Sequence, residues 1–403
     1  MFGSGQWLFL DIDACFAQVE QVARPALRGR PVGVVPVVID TTCCIAVSYE
    51  AKRLGVKTGC SVREARRLCP DITLVQSRPE LYIRTHRRIL GAVDTCLPVT
   101  RVCSIDEMAC RLGANEKTAD DALGLAQRVK DAVRDRTGLT CSVGVASNDV
   151  LAKVASEMEK PDGLVLIRRE DLPERLFTLE LDDFPGIGPQ MLKRLHAHGV
   201  FDVKHLCALS QADLAAIWRS IEGQRWWRRL RGFDVPPIPT RTRSVGHQRI
   251  LAPDLRNTRS VHAMLVHLIC KASARARSKG YAARRLSVGV RCLDHPGWWA
   301  TTPVPPTQST HALVRAFESL WVGAEIERPI RVDTTLHELL AVGVAEEPLF
   351  PGARHERDLW RAVDRINSRH GKHTVYLGAL HGTFDAVPVR IPFSSIPDLD
   401  LPA

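Results

Sequence analysis

Two acidic patches stand where an apolar strand would be expected, and they constrain this chain more than any other feature. One is Leu10-Asp11-Ile12-Asp13, which closes the run Trp7-Leu8-Phe9-Leu10; the other is Ser104-Ile105-Asp106-Glu107, inside the apolar stretch Val102 to Cys110. Carboxylates in such surroundings are costly unless a cation neutralises them, so the pattern points to a carboxylate site for divalent metal. In a regular strand Asp11 and Asp13 share one face and Ile12 points away, which leaves Ile12 only its backbone carbonyl to offer a metal. Asp106 and Glu107 are adjacent and point to opposite faces, so both reach one site only at a twisted strand end or a hairpin tip. Two hard cations about 4 Å apart, held by carboxylates, stabilise the attacking and leaving oxygens of an in-line phosphoryl displacement. Taken alone, a DxD and a distant DE read equally well as exposed turn carboxylates, and the surrounding sequence decides.

A chain of 403 residues exceeds one ordinary core, so about two to four domains are expected. Its formal charge of +10 favours a polyanionic partner, nucleic acid ahead of an anionic membrane. The twelve cysteines are scattered, with no CxxC, which reads as reduced thiols in a cytosolic protein. Charge appears at Asp11 before a signal-peptide core can form, and no apolar run approaches a membrane span; a soluble, cytoplasmic protein without membrane contact is expected.

Periodicity predicts a strand at Trp7 to Leu10, a helix over Ala14 to Val22, strands at Val32 to Val38 and Cys44 to Ser48, and helices at Tyr49 to Leu54 and Val62 to Leu68. A helix over Leu81 to Leu97, a hairpin over Val99 to Leu112, a helix over Ala119 to Arg136, a strand at Thr140 to Val145 and a helix at Val150 to Met158 follow. This order describes an α+β sheet with the two acidic motifs on neighbouring strands, interrupted by a small α/β insert over about 20–75. Residues 166–232 read as short helices, and Val235-Pro236-Pro237-Ile238-Pro239 as a stiff linker. Beyond it the chain turns arginine-rich, with Arg243, Arg275, Arg277, Arg284 and Arg285 among others against only Asp254 and Asp294 up to residue 300. That surplus is the footprint of a phosphate-binding domain, a solvated basic face being the plainer alternative. Leu359 to Ile366 predicts one more helix in the tail.

Five blocks in this order resemble the Y-family, translesion DNA polymerases: Leu8 to Val35 around LFLDID, Ala46 to Pro70, the SIDE motif, Ser142 to Gly163, and FPGIGPQMLKRLHAHGV from Phe184 to Val200. The resemblance implies an α+β multidomain, right-hand polymerase. Its parts would be a ferredoxin-like palm (1–20 and 76–165), small fingers (21–75), a helical thumb with a helix-hairpin-helix (166–234), an α/β little finger (240–345) and a C-terminal tail (346–403). It implies that Asp11, Asp106 and Glu107 are catalytic and bind two Mg2+ ions with the Ile12 carbonyl, Glu107 also lying near the primer 3′-hydroxyl. Phe16 matches the steric gate that excludes a 2′-hydroxyl, and Tyr49, Lys52 and Lys153 match contacts to the incoming deoxyribonucleoside triphosphate.

Lys52 departs from the arginine usual in the family, so a point charge replaces a bidentate fork. Ala14 and Cys15 replace larger residues beside the nucleotide. Gly186 and Gly188, in Pro185-Gly186-Ile187-Gly188, match the hairpin that lets backbone N–H groups approach duplex phosphates. The stretch Arg243 to His247 resembles the start of the little finger, whose arginines would hold primed template DNA by phosphate contacts. Trp226 and Trp227, among Arg225, Arg228, Arg229 and Arg231, read as thumb core with solvated arginines rather than a base-stacking platform.

Glu346-Glu347-Pro348-Leu349-Phe350 resembles the short peptide by which bacterial polymerases dock on the sliding clamp, with Leu349 and Phe350 as anchors and Glu in place of the leading Gln. Arg361 to Gly382 resembles tails of UmuC-type members. The activity implied is low-fidelity, template-directed extension of primers past damaged template, by a monomer. A non-catalytic, ImuB-like accessory bridging DNA, clamp and another polymerase is the alternative, against which the retained carboxylates count. A nucleotide cyclase would share the carboxylates but has no use for the hairpin or the arginine-rich region.

Overall fold

The computed structural model describes residues 6–40, 42–113, 118–238, 241–343, 351–371 and 373–381. The chain divides into two units, one running to Pro237 and the next starting at Ile238, in the proline-rich stretch expected to be a linker. Among the described residues no helix is long and apolar enough to cross a membrane, and the cysteines are free thiols.

The first unit opens with β1 (Trp7–Ile12), buried along its whole length as a continuous apolar run demands. Ala14, left-handed at φ 46°, turns the chain into α1 (Cys15–Ala23). Next come β2 (Val32–Val35), β3 (Ala46–Val47), α2 (Tyr49–Arg53), α3 (Val62–Leu68) and β4 (Thr73–Gln76). They form a three-stranded sheet, β3-β2-β4, over a small core of its own that includes Val35, Val47, Ala51, Val62 and Ala65. The predicted strand at Val32 to Val38 stops at Val35 because Pro36 has no N–H to extend the ladder.

The chain continues through α4 (Pro79–Val93), β5 (Arg101–Val102), β6 (Glu107–Arg111), α5 (Ala119–Thr137), β7 (Cys141–Ala146), α6 (Asp149–Met158) and β8 (Leu164–Ile167). The central sheet has the order β5-β6-β1-β7-β8. β1 runs antiparallel to both β6 and β7, and the β1–β6 register sets Asp11 opposite Glu107. α6 lies directly on the backbone of β7: a Cβ on Gly144 would stand 2.1 Å from the Ala152 carbonyl oxygen and 2.4 Å from the Ser156 nitrogen. Four short helices close the unit: α7 (Pro189–Ala197), α8 (Val203–Ala208), α9 (Gln211–Trp218) and α10 (Ile221–Arg229). Leu195, Leu206, Leu214 and Trp226 from this set share one core with Trp7, Phe9 and Leu151. Asp234 joins the two parts again, accepting from Trp7 Nε1 at 3.2 Å and pairing with Arg111 at 2.5 Å.

The second unit comprises β9 (Ser244–Ile250), α11 (Thr258–Ser278), β10 (Tyr281–Cys292), β11 (Trp298–Thr307), α12 (Thr310–Trp321), β12 (Pro329–His337), β13 (Leu340–Ala341) and α13 (Pro351–His370). Its antiparallel sheet has the order β11-β10-β12-β9, with β13 added to β10. Strand alternation sends Leu286, Val288 and Val290 into a core with Leu265, Ile269 and Phe317 of the helices, and leaves Arg285, Ser287 and Arg291 on the opposite face.

Candidate active site

Three strand ends converge on the acidic residues. β6 begins at Glu107, so Asp106 occupies the hairpin turn before it, where two adjacent acids have the freedom to serve one site. The Ile12 N–H donates to the Asp106 carbonyl at 2.9 Å and ties that turn to the tip of β1. His86 steadies it from behind, its Nδ1–H donating to the Ile105 carbonyl at 2.7 Å. Asp11, Glu107 and Glu157 of α6 each bring a carboxylate oxygen within 4.8 Å of the others. An all-oxygen, hard-donor set of this kind fits Mg2+ or Mn2+ and not a thiophilic metal. Asp106 stands beside that group, its Oδ1 accepting from Ser104 Oγ. Burial raises the Asp11 carboxyl well above the ordinary carboxylate range; Lys160 draws it back, while Glu157 and Asp106 add to the rise.

Two lysines already neutralise part of this charge. Lys153, expected at the triphosphate, pairs with Glu107. Lys160, to which the sequence assigned no role, lies 2.7 Å from Asp11 and 2.8 Å from Glu157. Burial works against its ammonium, but Asp11 and Glu157 hold its pKa above the usual lysine value. Glu157 follows Lys153 by one turn of α6, which places both near one face, and Lys160 reaches the same acids from just beyond the helix, which ends at Met158.

Asp13 does not share the face of Asp11. β1 ends at Ile12, and Asp13, fully buried, accepts hydrogen bonds from Ser142 Oγ (2.8 Å), Thr140 Oγ1 (3.1 Å) and the Asp162 N–H (2.8 Å). Its carboxylate thus stitches the tip of β1 to β7 and to the turn after α6.

Phe16 is half-buried on α1 and stacks on Tyr82 of α4, with ring centroids 4.4 Å apart. Tyr82 donates to the fully buried Glu20 at 2.8 Å, and Arg78 Nε donates to the same carboxylate at 3.0 Å. This brace was not foreseen, because its members are about sixty residues apart in sequence. Tyr49 opens α2, and its hydroxyl is buried with no partner among the described residues. Burial first, then Asp13, pushes that phenol up to about 12. Lys52 sits 4.3 Å from the centre of the Tyr49 ring, its pKa lowered by burial and by Lys160. The orphaned hydroxyl, Lys52 and the acidic group together suit a phosphate-bearing ligand with its metal.

At the hairpin, Gly186 has φ +97°, open to glycine and strained for other residues, above the ring of the core residue Trp226. Gly188 caps α7, with Pro189 as its first helical residue. Trp227 packs against Arg231, whose guanidinium carbon lies 3.9 Å from the ring centre. In the second unit, Arg243 and Arg285 line a groove of about 780 Å³ with Arg241 and His337; Arg285 also pairs with Glu338 at 2.7 Å. Arg284 is exposed, and Arg275 lies on α11 close enough to His247 to influence it. Arg277 departs from its expected role at the duplex. Its side chain is 4% exposed and binds Asp364 of α13 at 2.6 and 2.9 Å, which leaves it no reach to a phosphate. Leu349 and Phe350 lie outside the described residues.

Comparison with known proteins agrees with this geometry. The model of the impB/mucB/samB family matches residues 10–157, and that of the family's C-terminal domain matches residues 242–345. DNA polymerase IV of Moorella thermoacetica is 30% identical over 386 residues, covering 92% of this chain and 94% of the relative. DNA polymerase IV of Pelotomaculum thermopropionicum is 30% identical over 387 residues, covering 91% and 93%. Among solved structures, a Y-family DNA polymerase chimera, Dbh-Dpo4(243-245)-Dbh, superposes with a TM-score of 0.70 at 24% identity, covering 83% of this chain and 99% of its own. The insertion ternary complex of Dbh DNA polymerase gives 0.57 at the same identity and the same shares of each chain. With relatives 30% identical and matched almost end to end, and both family models matched in order, the chain belongs to the impB/mucB/samB family, the Y family of translesion DNA polymerases.

Proposed function

We propose that this DNA polymerase extends primers past damaged template with two Mg2+ ions, held by Asp11, Asp106, Glu107 and the Ile12 carbonyl. The observation that carries the reading is the antiparallel register that sets Asp11 opposite Glu107, with Asp106 in the adjoining turn. Divalent metal belongs to the family's chemistry, and the ions when bound would lower the charge barrier at the attacking 3′-oxygen and the leaving pyrophosphate. Glu107 stands nearest the primer 3′-hydroxyl in this reading. Phe16, backed by Tyr82, excludes a 2′-hydroxyl, and the Tyr49 hydroxyl, Lys52 and Lys153 receive the deoxyribonucleoside triphosphate.

We assign 1–20 and 76–165 to the palm, 21–75 to the fingers, 166–234 to the thumb and 240–345 to the little finger. Backbone N–H groups at Gly186 and Gly188, with Arg243, Arg275, Arg284 and Arg285, would hold primed template DNA through its phosphates. Leu349 and Phe350 are assigned to the sliding clamp on sequence alone, and the protein is read as a cytoplasmic monomer. The alternative of a non-catalytic accessory finds no support in relatives that are DNA polymerases.

Primer extension on intact and damaged templates tests the mechanism. Asp11→Ala and Glu107→Ala should each lower the rate at least about a hundredfold while binding of primed DNA persists. Full activity in either variant would sink the assignment.

A further inference from the structure

The helix side of the second unit's sheet carries a basic cluster that primer extension does not use. α11 packs across β9 and β12. His247 of β9 stands opposite Thr334 of β12 in register, and Thr334 stands opposite the core residue Val288 of β10. Both side chains therefore point toward the helices, away from the face that carries Arg285 and Arg291. Arg249, two residues along β9, lies on the same side and is 7% exposed. His267 and Lys271 come from one turn of α11, and the His373 ring, brought back by the tail after α13, lies 5.9 Å from that of His267.

Two polar atoms in this cluster are buried with no hydrogen-bond partner among the described residues: Nε2 of His247 and Oγ1 of Thr334, a residue only 1% exposed. Thr334 and His267 lie at the buried floor, while His247, Lys271 and His373 are half-buried at the rim. Burial and the basic neighbours, Lys271 first among them, hold both strand and helix imidazoles below the ordinary histidine range; an anion set between them would reverse that shift. A hydroxyl and an imidazole N–H beside lysine and arginine form a donor set suited to phosphate oxygens.

We propose that this cluster binds a small phosphate-bearing anion, inorganic phosphate or a phosphate monoester, on the side of the sheet away from Arg285. Thr334 Oγ1 and His247 Nε2 would donate to its oxygens, Lys271 and Arg249 would supply the positive charge, and His373 would join the tail to the site. Neither the acidic group nor a metal takes part, so the inference stands apart from the catalytic reading.

Calorimetric titration of inorganic phosphate into the full-length protein, free of divalent metal, tests the site, with isotope-labelled histidines locating the ion by NMR. Phosphate should move the His247 and His267 resonances toward the protonated form. Thr334→Val keeps the shape of the side chain and removes only the orphaned hydroxyl; it should weaken phosphate binding about fivefold, the weight of one hydrogen bond, while the urea midpoint holds or rises. Lys271→Met should weaken binding at least about tenfold, the weight of a charged hydrogen bond. Phosphate should bind equally well to protein saturated with primed DNA. Absence of binding overturns the site, and so does binding that both variants leave intact, which is an adventitious ion only. Displacement of phosphate by the DNA makes the cluster part of the duplex interface and overturns it as a separate site.

Discussion

Asp11 and Asp13 are separated by a single residue and meet opposite fates. Asp13 is saturated by two hydroxyls at the start of β7 and an N–H from the turn after α6, while Asp11 faces acids and depends on Lys160 for relief. Each bond to a buried carboxylate contributes about 1.5–3 kcal/mol, and its removal strands donors in the core. Asp13→Ala should therefore lower the unfolding free energy by about 3 kcal/mol in urea titration. Asp11→Asn should leave the urea midpoint where it is or raise it, because a buried charge held among like charges is removed. Much of this site was legible in the chain itself: acids set in apolar strands already required a neutralising cation, and the adjacency of Asp106 and Glu107 required a hairpin turn. Asp13 misled because strand alternation was carried one residue past the point where β1 ends and Ala14 turns left-handed.

The elements were read more easily than their mutual contacts. α3 and the start of α5 fall where the spacing of apolar residues and the Thr118–Asp121 capping box put them. α4 ends at Val93 although Leu97 is buried, because a buried side chain in the following turn satisfies the same periodicity. Lys160 and Arg277 could not be placed by such rules: the first binds an acid on a strand far upstream, and the second binds Asp364, 87 residues downstream. Nor does periodicity show how closely α6 lies on β7, although the pair carries Lys153 and Glu157 into the site. Gly144→Ala should force that helix off the sheet, costing about 3 kcal/mol and disabling extension even in the folded fraction. Gly188→Ala, with open space around it, should cost only about 0.5–1 kcal/mol, the loss of a glycine N-cap. Thermal unfolding of the two variants side by side checks both.

At the scale of the molecule, the second unit carries its own response to acid. Burial, with Lys271 and Arg275 nearby, lowers His247 to about 4, and burial with Lys271, His373 and Arg249 lowers His267 to about 3. An unfolded histidine takes its proton near pH 6.5, so between that value and about 4 the unfolded chain binds more protons than the folded one. Stability is retained above about pH 6.5 and lost as pH falls through this window. Urea midpoints at pH 7.5 and 5 should fall accordingly, and the fall should shrink in a His247→Gln/His267→Gln double variant. The same unit holds α13 by Arg277 on Asp364, by Ser309 and Arg315 on Glu356, and by Trp360 against Arg277. Twenty helical residues make an arm about 30 Å long, and its first residue, Pro351, directly follows Phe350 in sequence. A partner that grips Leu349 and Phe350 would therefore take hold of a lever bolted to the second unit and not of a slack leash.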